Sequence, residues 1–146
     1  MTPSATELPT ILEQIRKAHD GILRPVDVVE AASDENHPLH GSFEWNDTKA
    51  AAQYRLWQAR ELIQVAVTVL EGDPKRESIR AYVSLGSDRE NPGGGYRFIG
   101  SVLRNSKQRR ELFEQALAEL RAFEAKYRQL RRLAPIFAAL RKITAA

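Results

Sequence analysis

Apolar residues at helical spacing begin the chain: Leu8, Ile11, Leu12 and Ile15. They predict a first helix over residues 7–19, and Gly21 suits the end of that helix. Pro25 is typical of the first turn of a helix, so a short second helix is expected to start there. Its inward-facing residues are predicted to be Val26, Val29 and Ala32.

A third helix is predicted after a polar loop over residues 33–42, with Asn46 or Asp47 as N-cap and an end near Ile63. At 100° per residue, one face is expected to be buried and consists of Ala52, Leu56, Ala59 and Ile63. A second face is mainly composed of side chains that hydrogen-bond outward: Lys49, Gln53, Trp57, Arg60 and Gln64.

The period then changes to two over residues 65–70 and 79–85, where β-branched residues are frequent. This pattern predicts two antiparallel strands joined by a turn over residues 72–76. Residues 86–95 are rich in glycine and predict a mobile loop, and residues 96–99 are expected to add a short third strand.

The last third of the chain predicts one long helix, with Asn105 or Ser106 as N-cap. Apolar residues at alternating steps of three and four form a continuous stripe on it: Phe113, Ala116, Leu120, Phe123, Tyr127, Leu130, Ala134 and Phe137. Pro135 is expected to break or kink this helix near Ala134.

These elements predict a single α+β domain that is mainly helical. Residues 1–100 form a three-helix head with a β-hairpin, in the winged-helix-like order of elements. Residues 101–146 form a long basic C-terminal helix, broken near Pro135 and belonging to the same domain.

Composition agrees with a globular protein of 146 residues, with 42% hydrophobic and 28% charged residues. Without cysteine the chain has no disulfide and no thiolate metal site. No apolar run approaches a membrane span, and the first ten residues lack the features of a signal peptide. We therefore expect a cytoplasmic protein with no membrane partner.

Charge is unevenly distributed along the chain. Residues 101–146 carry 11 Lys/Arg against 4 Asp/Glu, whereas residues 1–100 carry 11 against 15. A basic C-terminal part behind an acidic head favours an interaction protein over an enzyme.

One hypothesis is DNA binding, with the third helix in the major groove and the hairpin tip on phosphate. Its candidate residues are Lys49, Gln53, Arg60 and Gln64 on the helix, Lys75 and Arg76 at the tip, and Arg121, Arg128 and Arg132 on the C-terminal helix. Two features weaken it. The connection between the second and third helices has about ten residues, against roughly three or four in a helix-turn-helix, and residues 1–46 carry 3 basic against 8 acidic residues.

The alternative is a protein-protein interaction module that uses the C-terminal stripe. Its candidate contact residues are Phe113, Leu120, Phe123, Tyr127 and Leu130. The partner would be a second copy, giving a homo-oligomer or a coiled coil, or a host protein. A wide aromatic stripe of this kind can also pack on the chain's own domain.

Residues that suggest chemistry are few. His37 and His40 are three residues apart beside carboxylates and could hold a divalent ion, but two histidines in a polar loop are more often surface residues. Gly93–Gly95 lacks the Gly-Lys-Ser/Thr ending of a phosphate-binding loop. No catalytic constellation is recognisable, so no enzymatic activity, cofactor or metal is predicted.

Several short segments resemble a group of small proteins encoded by tailed bacteriophages and prophages. They are Pro38-Leu39-His40, Phe43-Glu44-Trp45, Ala50-Ala51, Tyr54-Arg55, Ala59-Arg60, Tyr82-Val83-Ser84-Leu85 and Gly95-Tyr96-Arg97. The similarity spans most of residues 23–143. It implies a bacterial cytoplasm as the setting, and a role in regulation, host takeover or particle assembly. The leading expectation is therefore a phage-type accessory protein that binds nucleic acid without catalysis.

Overall fold

A computed structural model describes residues 2–46 and 48–143, which are mainly helical with two small antiparallel strand pairs, as predicted in outline. The helices of these residues are α1 (Leu8–Ala18), α2 (Pro25–Ala32), α3 (Lys49–Val65), α4 (Gly86–Arg89), α5 (Ile99–Arg104), α6 (Ser106–Tyr127) and α7 (Ala134–Arg141). The strands are β1 (Val67–Thr68), β2 (Ile79–Arg80), β3 (Tyr82–Val83) and β4 (Arg97–Phe98).

The three helices of the head form close to the predicted positions, and α2 begins at Pro25 as expected. The predicted inward face of α2 is confirmed at Ala32, which is buried, and in part at Val29, which packs partly buried against the core. It was wrong at Val26, which is 51% exposed, whereas Asp27 and Val28 are buried. A helix of eight residues has only two turns. The angle at which it packs, which the sequence does not specify, decides which of two adjacent residues is covered.

Helix α3 is capped by Thr48, whose side-chain oxygen accepts a hydrogen bond from the Ala51 N–H at 3.1 Å. The predicted caps were Asn46 and Asp47, of which Asp47 lies outside the described residues. The buried face includes Ala59 and Ile63 as predicted, but Ala52 is exposed and Leu56 only partly buried. Ala51 is buried instead, so the buried face is rotated from the predicted one.

The predicted hairpin forms, since β1 pairs with β2 in antiparallel register. The predicted third strand forms as β4, which pairs with β3 and not with the hairpin. Ala81 lies between β2 and β3 and joins the two pairs: its N–H donates to Ala66 and its carbonyl accepts from the Ile99 N–H, at 2.9 and 2.8 Å.

The core lies between α1, α2, α3 and these strands. Its buried apolar residues are Leu8, Leu12, Ile15, Leu23, Val28, Ala32, Leu39, Phe43, Ala59, Ile63, Ala66, Ala81 and Tyr82. Tyr82 is the largest fully buried side chain among them, and its hydroxyl donates to a Glu13 carboxylate oxygen at 3.1 Å. Burial raises the pKa of the Tyr82 hydroxyl, so the phenol stays neutral.

Residues 86–95 contain the short helix α4, which the glycine-rich composition did not predict. Asp88 of this helix is only 3% exposed, and its two oxygens accept hydrogen bonds from the Arg97 guanidinium at 2.7 and 2.8 Å. These hydrogen bonds raise the pKa of Arg97, which therefore stays charged. The ion pair attaches the loop to β4.

The C-terminal part differs most from the prediction of one long helix. A separate short helix, α5, precedes α6, and Asn105 lies between them. Asn105 caps α6 as predicted, because its side-chain oxygen accepts a hydrogen bond from the Gln108 N–H at 3.0 Å. Helix α6 then ends at Tyr127, well before Pro135. Leu130 has a ψ of 91°, which ends the helical path, and Pro135 lies in the first turn of α7.

The first half of α6 lies against the head. Glu111 accepts hydrogen bonds from the Ser87 N–H and hydroxyl at 2.8 and 2.9 Å. One turn later, Gln115 donates to the Ser84 carbonyl at 3.2 Å.

Among the helices of residues 2–46 and 48–143, none combines the length and the apolar character needed to cross a membrane.

We expect Arg97→Gln to lower the free energy of unfolding by about 3 kcal/mol, because it leaves the buried Asp88 carboxylate without its partner. Urea denaturation followed by circular dichroism measures this. The matched control is Arg141→Gln, which removes the ion pair of Arg141 with Glu124 at the surface and should cost under about 1 kcal/mol. Equal effects of the two substitutions would contradict a structural role for the Asp88–Arg97 pair.

Candidate interaction surface

Helices α6 and α7 form a helical hairpin with an apolar groove between them. The groove has a volume of about 310 Å³ and is lined by Leu120, Phe123, Ile136, Phe137, Ala139, Leu140 and Ile143. All seven of these side chains are apolar, so the groove offers a contact for another apolar surface. We call this set of residues the hairpin groove.

Two buried side chains hold the hairpin closed. Phe137 and Leu140 are buried, and the Phe137 ring lies 6.3 Å from the Phe123 ring between centroids. Arg141 of α7 donates to a Glu124 carboxylate oxygen of α6 at 2.5 Å. The fold-back therefore has its own apolar contact and its own ion pair.

The remaining large side chains of the groove stay open to solvent. Four of them are 42–59% exposed: Leu120, Phe123, Ile136 and Ile143. Residues of these types are normally covered in a folded protein, and a cluster of them marks an interaction surface. These four exposed side chains line the same groove.

The five predicted partner-binding residues fall into three groups. Leu120 and Phe123 line the hairpin groove, and the Tyr127 ring packs at a tilt against Phe123 with 4.7 Å between the ring centroids. Leu130 is exposed in the turn between α6 and α7. Phe113 is exposed about two turns before the groove begins and does not line it.

The continuous stripe predicted over residues 113–137 was wrong, because the chain turns back after Tyr127. Ala134 and Phe137 therefore lie on a different helix from Phe113 and Leu120. The hairpin instead brings Phe137 against Phe123, which places the later part of the stripe opposite the earlier part.

The hairpin is strongly basic. Residues 120–143 contain seven Lys/Arg and one Glu, a net charge of +6. The predicted nucleic-acid residues Arg121, Arg128 and Arg132 are all exposed in this segment. An apolar groove in a cationic segment attracts partners that combine apolar and acidic groups.

A second exposed surface lies on α3, more than fifty residues earlier in the chain. The four predicted nucleic-acid residues of this helix are exposed: Lys49, Gln53, Arg60 and Gln64. Two aromatic side chains lie among them, since Tyr54 and Trp57 are 49% and 51% exposed and stack with 5.6 Å between centroids. We call these six residues the α3 face.

The tip residues Lys75 and Arg76 are exposed in the turn between β1 and β2. This turn also contains Asp73, whose carboxylate accepts hydrogen bonds from the N–H groups of Lys75 and Glu77. Carboxylates therefore lie beside the two cations of the tip.

Near the carboxyl end of α3, Gln64 lines a cleft together with Gln115 and Glu119 of α6.

His37 and His40 take part in the packing of their own loop. His37 accepts a hydrogen bond from the Leu39 N–H through Nδ1 at 3.2 Å, and burial lowers its pKa. The His40 ring stacks on Trp45 at 5.0 Å, and its Nδ1–H donates to the Ala32 carbonyl at 2.8 Å. Each of the two imidazoles therefore contacts the protein through its Nδ1.

The sequence prediction missed Ile136, Ile143 and Tyr54. The first two lie seven residues apart, with Ala139 and Leu140 between them at helical spacing, so the signal of an apolar helix face was present. The sequence prediction assigned these residues to the same long helix as Leu120 and Phe123. Tyr54 is three residues before Trp57, a spacing that brings two aromatic rings together on a helix.

No protein-family model, curated protein or solved structure matches this chain. The resemblance to phage-encoded proteins therefore stays a prediction. What the molecule can bind has to be inferred from its two exposed surfaces, the hairpin groove and the α3 face.

The exposed and buried members of the hairpin groove should differ in their effect on stability. We expect Phe137→Ala to lower the free energy of unfolding by about 3 kcal/mol, because it empties the contact that closes the hairpin. Ile136→Ser, on the adjacent residue, should change it by under about 0.5 kcal/mol. Chemical denaturation measures both. A large loss of stability in Ile136→Ser would mean that this side chain is covered by the protein itself.

Proposed function

We propose that this protein is a protein-protein interaction module whose hairpin groove binds an amphipathic helix with an acidic polar face. The observation that carries the proposal is the cluster of large apolar side chains left exposed around a groove between two helices. Grooves between helices commonly accept the apolar face of a third helix, through side chains spaced three, four and seven residues apart.

Charge selects the partner. A second copy of the chain would bring two segments of charge +6 together, and like charges across an interface cost free energy. A helix with glutamate or aspartate on its polar face would meet the opposite charge on Arg121, Arg128 or Arg132. We therefore favour a different protein over a homo-oligomer; in the phage setting that the resemblance implies, that protein belongs to the bacterial host.

Two designed peptides of roughly 20 residues test this proposal. Both carry leucine at positions i, i+3, i+4 and i+7; one has glutamate on the polar face and the other has lysine. Fluorescence anisotropy should show micromolar binding of the acidic peptide, weakened by salt, and no binding of the basic peptide. Equal binding of both peptides, or of neither, would refute the proposal.

Ile136→Asp should weaken binding of the acidic peptide by more than about tenfold, because it places a carboxylate in the apolar contact. Val26→Asp is the matched control. Val26 is a comparably exposed β-branched residue on α2, outside the groove. If both substitutions weaken binding equally, the peptide does not bind in the hairpin groove.

Nucleic-acid binding is the second candidate function, and the α3 face favours it. Its cationic and amide side chains are all exposed, and the stacked Tyr54–Trp57 pair offers an aromatic surface to bases. In the winged-helix-like reading, α3 would contact the duplex and Lys75 and Arg76 would contact phosphate. This reading uses none of the residues that line the hairpin groove.

A gel shift on mixed-sequence DNA at low salt tests the second candidate. If α3 binds phosphate, Lys49→Ala with Arg60→Ala should reduce the slope of log affinity against log salt by about 2. Ile136→Asp should leave the shift unchanged. Absence of a shift at micromolar protein would exclude this function.

A further inference from the structure

We infer that His19, Asp27 and Glu30 form a binding site for a late first-row divalent cation such as Zn²⁺. This inference is independent of the proposed function. One ligand atom from each side chain lies within 4.8 Å of the other two. We call these three residues the α1–α2 cluster.

The chain brings the three residues together from two helices. His19 caps the carboxyl end of α1, and Asp20 and Gly21 follow it in the left-handed conformation, with φ of 55° and 77°. This turn directs the chain into α2. Asp27 and Glu30 are three residues apart on α2, so their carboxylates lie on the same side of that helix.

The imidazole of His19 is oriented for coordination. Its Nδ1 lies 2.8 Å from the Ile15 carbonyl oxygen, which can only accept, so Nδ1 must carry the hydrogen. Nε2 then points toward Asp27 Oδ1 at 3.8 Å, too far for a hydrogen bond. A ring nitrogen held in this way by a backbone carbonyl is the arrangement found in metal-ligating histidines.

Asp27 is the second, independent observation. It is only 9% exposed, and its Oδ2 is buried without a hydrogen-bond partner among the described residues. A buried carboxylate oxygen without a hydrogen bond is costly, and a bound cation would compensate that cost. Arg24 Nη1 lies 3.7 Å from the same oxygen, too far to donate, and its side chain is partly exposed and can turn outward.

The donor set indicates the class of ion. Imidazole nitrogen and carboxylate oxygen are both ligand atoms of zinc, and three protein ligands leave a fourth position to water. Mg²⁺ and Ca²⁺ prefer sets made of oxygen alone. Ligand atoms up to 4.8 Å apart must approach to about 3.3 Å from one another around a tetrahedral Zn²⁺ with bonds near 2 Å, which the exposed Glu30 side chain allows.

Histidine ring proton NMR on the untagged full chain tests the inference, since the chain has three histidines. Added Zn²⁺ should shift the His19 resonances at one equivalent, and Mg²⁺ should leave them unchanged. Zn²⁺ that shifts only His37 or His40, or no histidine, would overturn the site.

Isothermal titration with Zn²⁺ gives the affinity. His19→Gln and Glu30→Gln should each weaken binding at least about tenfold, the loss that even outer-shell changes cause at metal sites. His37→Gln, at a histidine outside the α1–α2 cluster, is the control and should bind as the unmodified chain does. Glu30 is exposed, so Glu30→Gln remains informative if a change at the buried Asp27 unfolds the protein. Unchanged affinity in His19→Gln or Glu30→Gln would overturn the proposal.

Discussion

The length of α7 is the constraint on which the C-terminal surface depends. Helix α6 has 22 residues and is about 33 Å long, whereas α7 has eight residues and is about 12 Å long. The shorter helix can cover only part of the apolar side of the longer one. Burial of Phe137 and Leu140 stabilises the fold-back, whereas Leu120 and Phe123 of α6 and Ile136 of α7 stay about half exposed. These partly covered side chains line the hairpin groove.

The two exposed surfaces differ in physical character and in how the fold supports them. The hairpin groove is apolar within a segment of high positive charge, and it is attached to the head through the contacts of Glu111 and Gln115. The α3 face is polar and aromatic, on a helix whose opposite side contributes Ala59 and Ile63 to the core. The two surfaces share no residue, so separate substitutions can distinguish the two candidate functions.

Local signals in the sequence predicted much of the fold. The spacing of Leu8 to Ile15, Pro25 at the start of α2 and the Asn105 cap act through neighbouring residues, so α1, α2 and α6 begin where expected. The turn after Tyr127 depends on a contact between residues 123 and 137, which helical periodicity cannot distinguish from a continued helix. The same limit applies to the sites: Leu120 and Phe123 were found by spacing, but Ile136 was not assigned to their surface. The α1–α2 cluster exists only because a left-handed turn joins the two helices.

Ala81 has a consequence for how the head comes apart. Its N–H and carbonyl connect the end of α3 to the start of α5. Ala81 is fully buried, so a larger side chain at this position would displace both neighbours. Displacing Ala81 would break one hydrogen bond beside each strand pair, since its N–H serves one side and its carbonyl the other. The β1–β2 pair and the β3–β4 pair therefore belong to one cooperative unit, although an exposed loop connects the strands of each pair.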